Sequence, residues 1–253
     1  MILARALGFR NCMTIDIGHM VPGPRLARYA RLAGPDPAAV EVFYQWAQEL
    51  SLAFFADIST LEVAMRSAMA RELSRQFGNE WYAQAELFDD DCQKAIVGAW
   101  GQAGLGKLRS EPNVDLEVVE GKLVASLMFG FWVQLLGKGS YAGKGPFRER
   151  RIYDSLLWRP ALTDAFPGQL RVEVQRAATV IRVARNRVAH HEHLAWGMPL
   201  PGQNRRLTVS DAHSTLIDLA GFLSGETVAW ILQRSSVRSI LGGCPVDTST
   251  LLL

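Results

Sequence analysis

An all-α fold is expected from the sequence. Apolar residues recur three and four positions apart over long stretches, Asp, Pro and Gly fall where helices start and stop, and no alternating strand pattern of useful length appears. A short helix is expected over Arg25 to Leu32, after the Pro22-Gly23-Pro24 turn and before Gly34. Asp36 and Pro37 then supply an N-cap and a first-turn proline for a long helix along Val40, Phe43, Tyr44, Ala47, Leu50, Phe54 and Phe55. Ser59 and Glu62 have capping-box spacing, so a second helical stretch is expected from Ser59 to Gly78 along Leu61, Met65, Ala68, Met69 and Leu73.

Further helices are expected over Asp91 to Trp100, Leu116 to Leu136, Glu149 to Leu157, Gln169 to about His191, and Asp211 to Gln233. Gly-rich or Pro-rich breaks separate them at Gly101 to Pro112, Gly137 to Pro146, Trp158 to Gly168 and Gly197 to Gln203. The chain divides into a loosely structured N-terminal extension (1–21), a helical domain (22–235) and a C-terminal tail (236–253), with Met20 as an alternative translation start.

The 253 residues are 49% hydrophobic and 21% charged, which excludes wholesale disorder and fibrous architectures. A formal charge of +2 excludes a general polyanion binder, so contact with nucleic acid requires a local basic patch. Cys12, Cys92 and Cys244 form no CxxC pair, which argues against a disulfide framework or a zinc knuckle and fits a reducing cytoplasm. The apolar run Leu123 to Leu136 includes Gly130 and Gln134 and is too short for a bilayer, and the N-terminus lacks the apolar core and cleavage site of a signal peptide. No membrane association and a cytoplasmic location are expected.

The chemistry-bearing segment is Arg182 to His193, which holds three of the five histidines. Leu170, Val174, Ala177, Ile181, Ala184 and Val188 give its helix one apolar stripe. Arg182, Asn186 and His190 fall four apart on a shared line, with Arg185 about a third of a turn from Asn186. A cation, an amide and an imidazole together suit metal-independent RNA cleavage, in which the 2′-hydroxyl attacks its own phosphate. His190 would move protons, Arg185 would stabilise charge on the phosphorane oxygens, and Asn186 would orient the phosphate or the imidazole. Two proton transfers favour a homodimer that brings in a second imidazole. The same pattern also suits a solvated basic helix end favoured by the macrodipole. His190, Glu192 and His193 have neither an HExxH spacing nor a second ligand cluster, so neither a metal nor another cofactor is expected.

Arg185-Asn186-Arg187-Val188-Ala189-His190-His191-Glu192 resembles the arginine-to-histidine motif of HEPN domains, in the form seen in Abi-like (abortive infection) proteins. Pro24 to Tyr29 resembles that family's opening, Tyr44-Gln45-Trp46 its Tyr-x-Trp-Asn motif, and Leu61 to Arg66 its Glu-Val-Ala-Leu-Arg-Asn motif. Gly78 with Trp81 and Tyr82, Phe129 to Trp132, and Trp158 with Phe166-Pro167 follow in the family's order, so the likeness spans roughly 22 to 235. Ala47 and Ser67 stand where the family usually has asparagine.

The resemblance implies a HEPN-like helical bundle with additional helices and an endoribonuclease toxin of a phage-defence or toxin-antitoxin system. Its partners would be RNA, a second copy of the chain, and an antitoxin protein or RNA. The expected RNA contacts are Arg182, Arg187 and His191 beside the motif, and Lys144, Arg148, Arg150 and Arg151 in a basic loop with Tyr141 and Phe147 interleaved. Arg205 and Arg206 are weaker candidates of the same kind. A non-catalytic module that binds RNA or protein through the same face is the alternative.

Overall fold

A computed structural model describes residues 17–200, 204 and 206–253. The expected extension over 1–21 lies mostly outside these residues. Helix α1 (Gly23–Ala33) carries Pro24 in its first turn and stops at Gly34, whose φ of 83° a side chain would resist. In α2 (Pro37–Phe77), Asp36 Oδ1 accepts the Ala38 N–H at 3.1 Å, and Gly78 closes the helix by donating to the Ser74 carbonyl at 2.8 Å.

These 41 residues form one uninterrupted helix roughly 60 Å long, which corrects the break expected at Ser59. The Ser59 hydroxyl donates to the Ala56 carbonyl at 2.8 Å instead of capping a new N-terminus, so the serine sits inside the helix it was expected to start. One face of α2, from Phe43 through Leu50, Phe54, Ile58, Leu61, Met65 and Met69 to Leu73, is fully buried. Most of the remaining helices pack against this spine.

Helices α3 (Asp90–Gln102), α4 (Leu105–Arg109), α5 (Leu116–Ser126) and α6 (Phe129–Leu135) form a compact group beside it. The single helix expected over Leu116 to Leu136 is broken at Leu127 and Met128, both extended. Phe129, Phe131, Trp132, Val133 and Leu135 are all buried, more of a helix's circumference than one stripe provides, and the bend tucks this nearly all-apolar turn into the core. Of the helix expected over Glu149 to Leu157 only the end is helical. Strand β1 (Tyr141–Ala142) pairs antiparallel with β2 (Glu149–Arg150), and Asp154–Trp158 forms a π-turn. Glycine permits this hairpin: Gly139 has φ +71°, and a Cβ there would lie 2.0 Å from the Arg151 carbonyl oxygen.

Helix α7 is Arg171–Ala189. A second short ladder pairs β3 (Met198–Pro199) with β4 (Arg206–Leu207). The last long helix expected is two, α8 (Val209–Leu223) and α9 (Gly225–Arg234), because the Ser224 hydroxyl caps α9 by accepting the Thr227 N–H at 3.1 Å. The segment after 235, expected as a tail, is docked. Val237 begins α10 (Val237–Gly242) fully buried, Trp46 donates to the Ile240 carbonyl at 2.8 Å, and Leu252 bridges Val209 and Ala195 through its backbone at 3.0 and 3.2 Å. Buried Asp57 lies 3.1 Å from His213 Nε2 and accepts the Ser235 hydroxyl at 2.6 Å, tying α2 to α8 and to the end of α9. Among the described residues no helix is long and apolar enough to cross a membrane.

Candidate functional site

Helix α7 buries Val174, Ala177, Ala178, Ile181, Ala184 and Val188, while Leu170, expected in that stripe, precedes the helix and is 66% exposed. With the apolar stripe turned inward, Arg182, Arg185 and Asn186 line a cleft of about 440 Å³ whose opposite wall comes from α3 and from Leu127 to Gln134. Arg185 is the inner member. Its Nε lies 3.8 Å from Glu62 Oε2, with the two side chains only 24% and 16% exposed, and at that distance the contact is an ion pair without a hydrogen bond.

Burial raises the Glu62 carboxyl above its ordinary range, and Arg185 and then Arg66 act against that rise. Arg66, one turn along α2 from Glu62, sends Nη1 to the Ala125 carbonyl at 3.3 Å. The guanidinium of Arg185 is therefore held from the neighbouring helix α2. Sequence spacing within one helix could not reveal that partner.

His190 lies just past the end of α7. The His191 N–H donates to the Val188 carbonyl at 2.9 Å and the Glu192 N–H to the Arg187 carbonyl at 2.8 Å, the paired bonds of a Schellman motif. His191 occupies its left-handed position with φ +58°, where glycine is usual. His191→Gly is expected to raise stability by about 1 kcal/mol, the order of the left-handed penalty, read as a higher urea midpoint at unchanged slope. The motif also fixes where His190 leaves the helix. Asn186 and His190 are both exposed, but only Asn186 lines the cleft with Arg185; His190 stands outside that lining.

The remaining candidates divide among separate places. Arg187 points into another cleft, pairs with Glu192 at 2.9 Å and is only 17% exposed. His193, two residues beyond His191, is buried between the rings of Tyr29 and Tyr44 and does not converge with His190. In the β1–β2 hairpin, Lys144, Arg148 and Arg150 are exposed, Arg148 lies 3.8 Å and Arg150 5.3 Å from the Tyr141 ring centroid, and Phe147 at the tip is 84% exposed. Arg151 is set apart from them, largely covered and paired with Glu149 at 2.8 Å. Arg205 lies outside the described residues, and Arg206 donates to the Trp196 and Gly197 carbonyls at 2.7 Å each.

The root of the hairpin and α7 share a further depression of about 370 Å³ lined by Lys138, Ser140, Gln134 and Arg182. Gln134 and Arg182 line the Arg185 cleft as well, so the two depressions adjoin. Gln134 carried a signal in the sequence as the polar residue inside the apolar run Leu123 to Leu136. Arg25 and Arg28, which line the cleft that Arg187 enters, carried none beyond their place in the opening segment.

The fold and site together define an all-α protein with an arginine-lined cleft at the C-terminal half of one helix. Compared with family models, curated proteins and solved structures, the chain matches none.

Proposed function

We propose that this chain is a metal-independent endoribonuclease, a HEPN-like helical bundle working as a homodimer in an abortive-infection or toxin-antitoxin defence system. The observation that carries the proposal is the Arg185–Glu62 pair. It holds a guanidinium at the inner wall of a cleft shared with Arg182 and Asn186, on the same helix whose end presents an exposed imidazole.

In the reaction the 2′-oxygen bonds to the adjacent phosphorus while the bond to the 5′-oxygen breaks. His190 accepts the 2′-hydroxyl proton or supplies one to the leaving oxygen, and Arg185 meets the charge on the non-bridging oxygens. Because His190 stands outside the Arg185 cleft of its own protomer, the working site would be composed across a two-fold axis, where a second His190 supplies the other transfer. Lys144, Arg148 and Arg150 would grip the RNA backbone from the hairpin. An antitoxin protein or RNA would hold the chain silent.

Incubation of the full chain with total bacterial RNA in EDTA is expected to yield fragments with 2′,3′-cyclic phosphate and 5′-hydroxyl ends, read by end-specific sequencing. Intact RNA that is nevertheless bound would instead favour a non-catalytic RNA- or protein-binding module, the reading that the placement of His190 outside the cleft supports.

A further inference from the structure

A second cleft, of about 420 Å³, takes Arg187 from α7 rather than Arg185. Residues two apart on a helix point in directions about 160° apart, which separates these two arginines. The walls of this cleft carry three guanidiniums, Arg25, Arg28 and Arg187, against one carboxylate, Glu192. Each arginine is fixed in place. Arg28 lies 4.0 Å from the Trp196 ring centroid, and Arg25 lies 5.8 Å from that of Tyr44 while donating to the His191 carbonyl. Arg187 reaches Glu192 at 2.9 Å through Nη1, yet its Nε is buried without a hydrogen-bond partner. Glu192 is itself 52% exposed, so it is a weakly coupled counter-ion.

Burial, and after it the charges of Arg206, Arg187 and Arg31, pulls the Arg28 guanidinium below its ordinary range. Arg187 is lowered by burial as well, against the pull of Glu192. Cations gathered in this way repel one another, and an anion entering the cleft relieves that cost. Three positive groups less one carboxylate leave two charges to balance, which matches a dianion, and guanidinium forks fit phosphate oxygens bidentately.

We propose that the Arg25–Arg28–Arg187 cleft is a binding site for a phosphomonoester, carried either on the 5′ end of an RNA or on a free phosphate compound. The site goes beyond the nuclease reading and does not depend on it, since it contains neither Arg185 nor His190.

The test is calorimetric titration of the full chain with inorganic phosphate and with two short 2′-O-methyl RNAs of one sequence, bearing a 5′-phosphate or a 5′-hydroxyl; the blocked 2′ positions prevent cleavage. Arg28→Ala and, as a second variant, Arg187→Gln are each expected to weaken phosphate binding at least tenfold. Arg234→Ala, which removes an arginine held 3.5 Å from the Trp230 ring centroid elsewhere on the surface, is expected to leave it unchanged. Tighter binding of the 5′-phosphorylated RNA, lost in Arg28→Ala, assigns the group to an RNA end. Equal binding of the two RNAs with inorganic phosphate still bound assigns it to a free compound. No phosphate binding by the parent, or an equal loss in Arg28→Ala and Arg234→Ala, overturns the proposal. Absence of RNA cleavage would sink the nuclease reading and leave this result standing.

Discussion

Replacing His190 with alanine is expected to lower the rate of RNA cleavage by roughly a hundredfold to ten-thousandfold, the usual range for a lost general acid or base, with stability held within about 0.5 kcal/mol. The two halves of that expectation come from the same placement. The imidazole is exposed at the end of α7 and makes no side-chain hydrogen bond to another described residue, so its loss exposes no buried group and opens no cavity. Arg185→Ala gives a poorer experiment, because it also leaves the largely buried Glu62 without its cation. Cleavage and urea unfolding measured on one preparation of His190→Ala separate chemistry from folding. Unchanged cleavage with an intact fold would remove His190 from the mechanism and leave the arginine cleft as a binding surface.

Stability is expected to fall by on the order of 3 kcal/mol between pH 6.5 and pH 4 through His193 alone. Burial, and after it the charge of Arg25, pushes this imidazole down to about 4 from its ordinary 6.5. Nδ1 contacts the Tyr29 hydroxyl, and the Tyr44 ring lies 4.8 Å away, so protonation would put a charge in a buried place and a second cation near Arg25. The sign follows from the unfolded chain, which takes up the proton below pH 6.5 while the folded chain does not. Folding therefore has to expel a proton across this window, stability rises with pH through it, and the effect saturates below 4, where both states are protonated. Urea midpoints from pH 7 to pH 4 should show this loss in the parent and a flatter profile in His193→Gln. Parallel profiles would assign the acid sensitivity to other groups.

Much of the local structure was legible in the sequence because it is local. Asp36 and Pro37 start α2 and Gly78 ends it as their chemistry requires, and α7 spans nearly the residues its apolar stripe indicates. The misreadings have physical causes of the same kind as one another. Ser59 has capping spacing, but a serine can satisfy its hydroxyl on the preceding turn and let the helix run on. The bend at Leu127 carries neither Gly nor Pro and follows from how much of Phe129 to Leu135 must be buried. The stretch Glu149 to Leu157 reads as helix until Gly139 and its partner strand are known, since pairing across the hairpin decides it. In the site, the shared face of Arg182 and Asn186 was readable from helical spacing, whereas His190, one residue past the end of α7, falls outside the cleft they line. Glu62 as the partner of Arg185, and the turning of Arg187 into a different cleft with Arg25 and Arg28, depend on which helices meet and had no signature in spacing.

The length of α2 also sets an order in time. This helix is synthesised before the elements that cover it: its face is closed partly by α8 and α10, and the Trp46–Ile240 bond joins residues 194 apart. At 5 to 20 residues per second that separation corresponds to roughly 10 to 40 s of synthesis. Throughout that interval a long apolar ridge, from Phe43 to Leu73, waits without its final cover, so the newly made chain is most exposed to aggregation and to chaperone capture until α8 and α10 emerge.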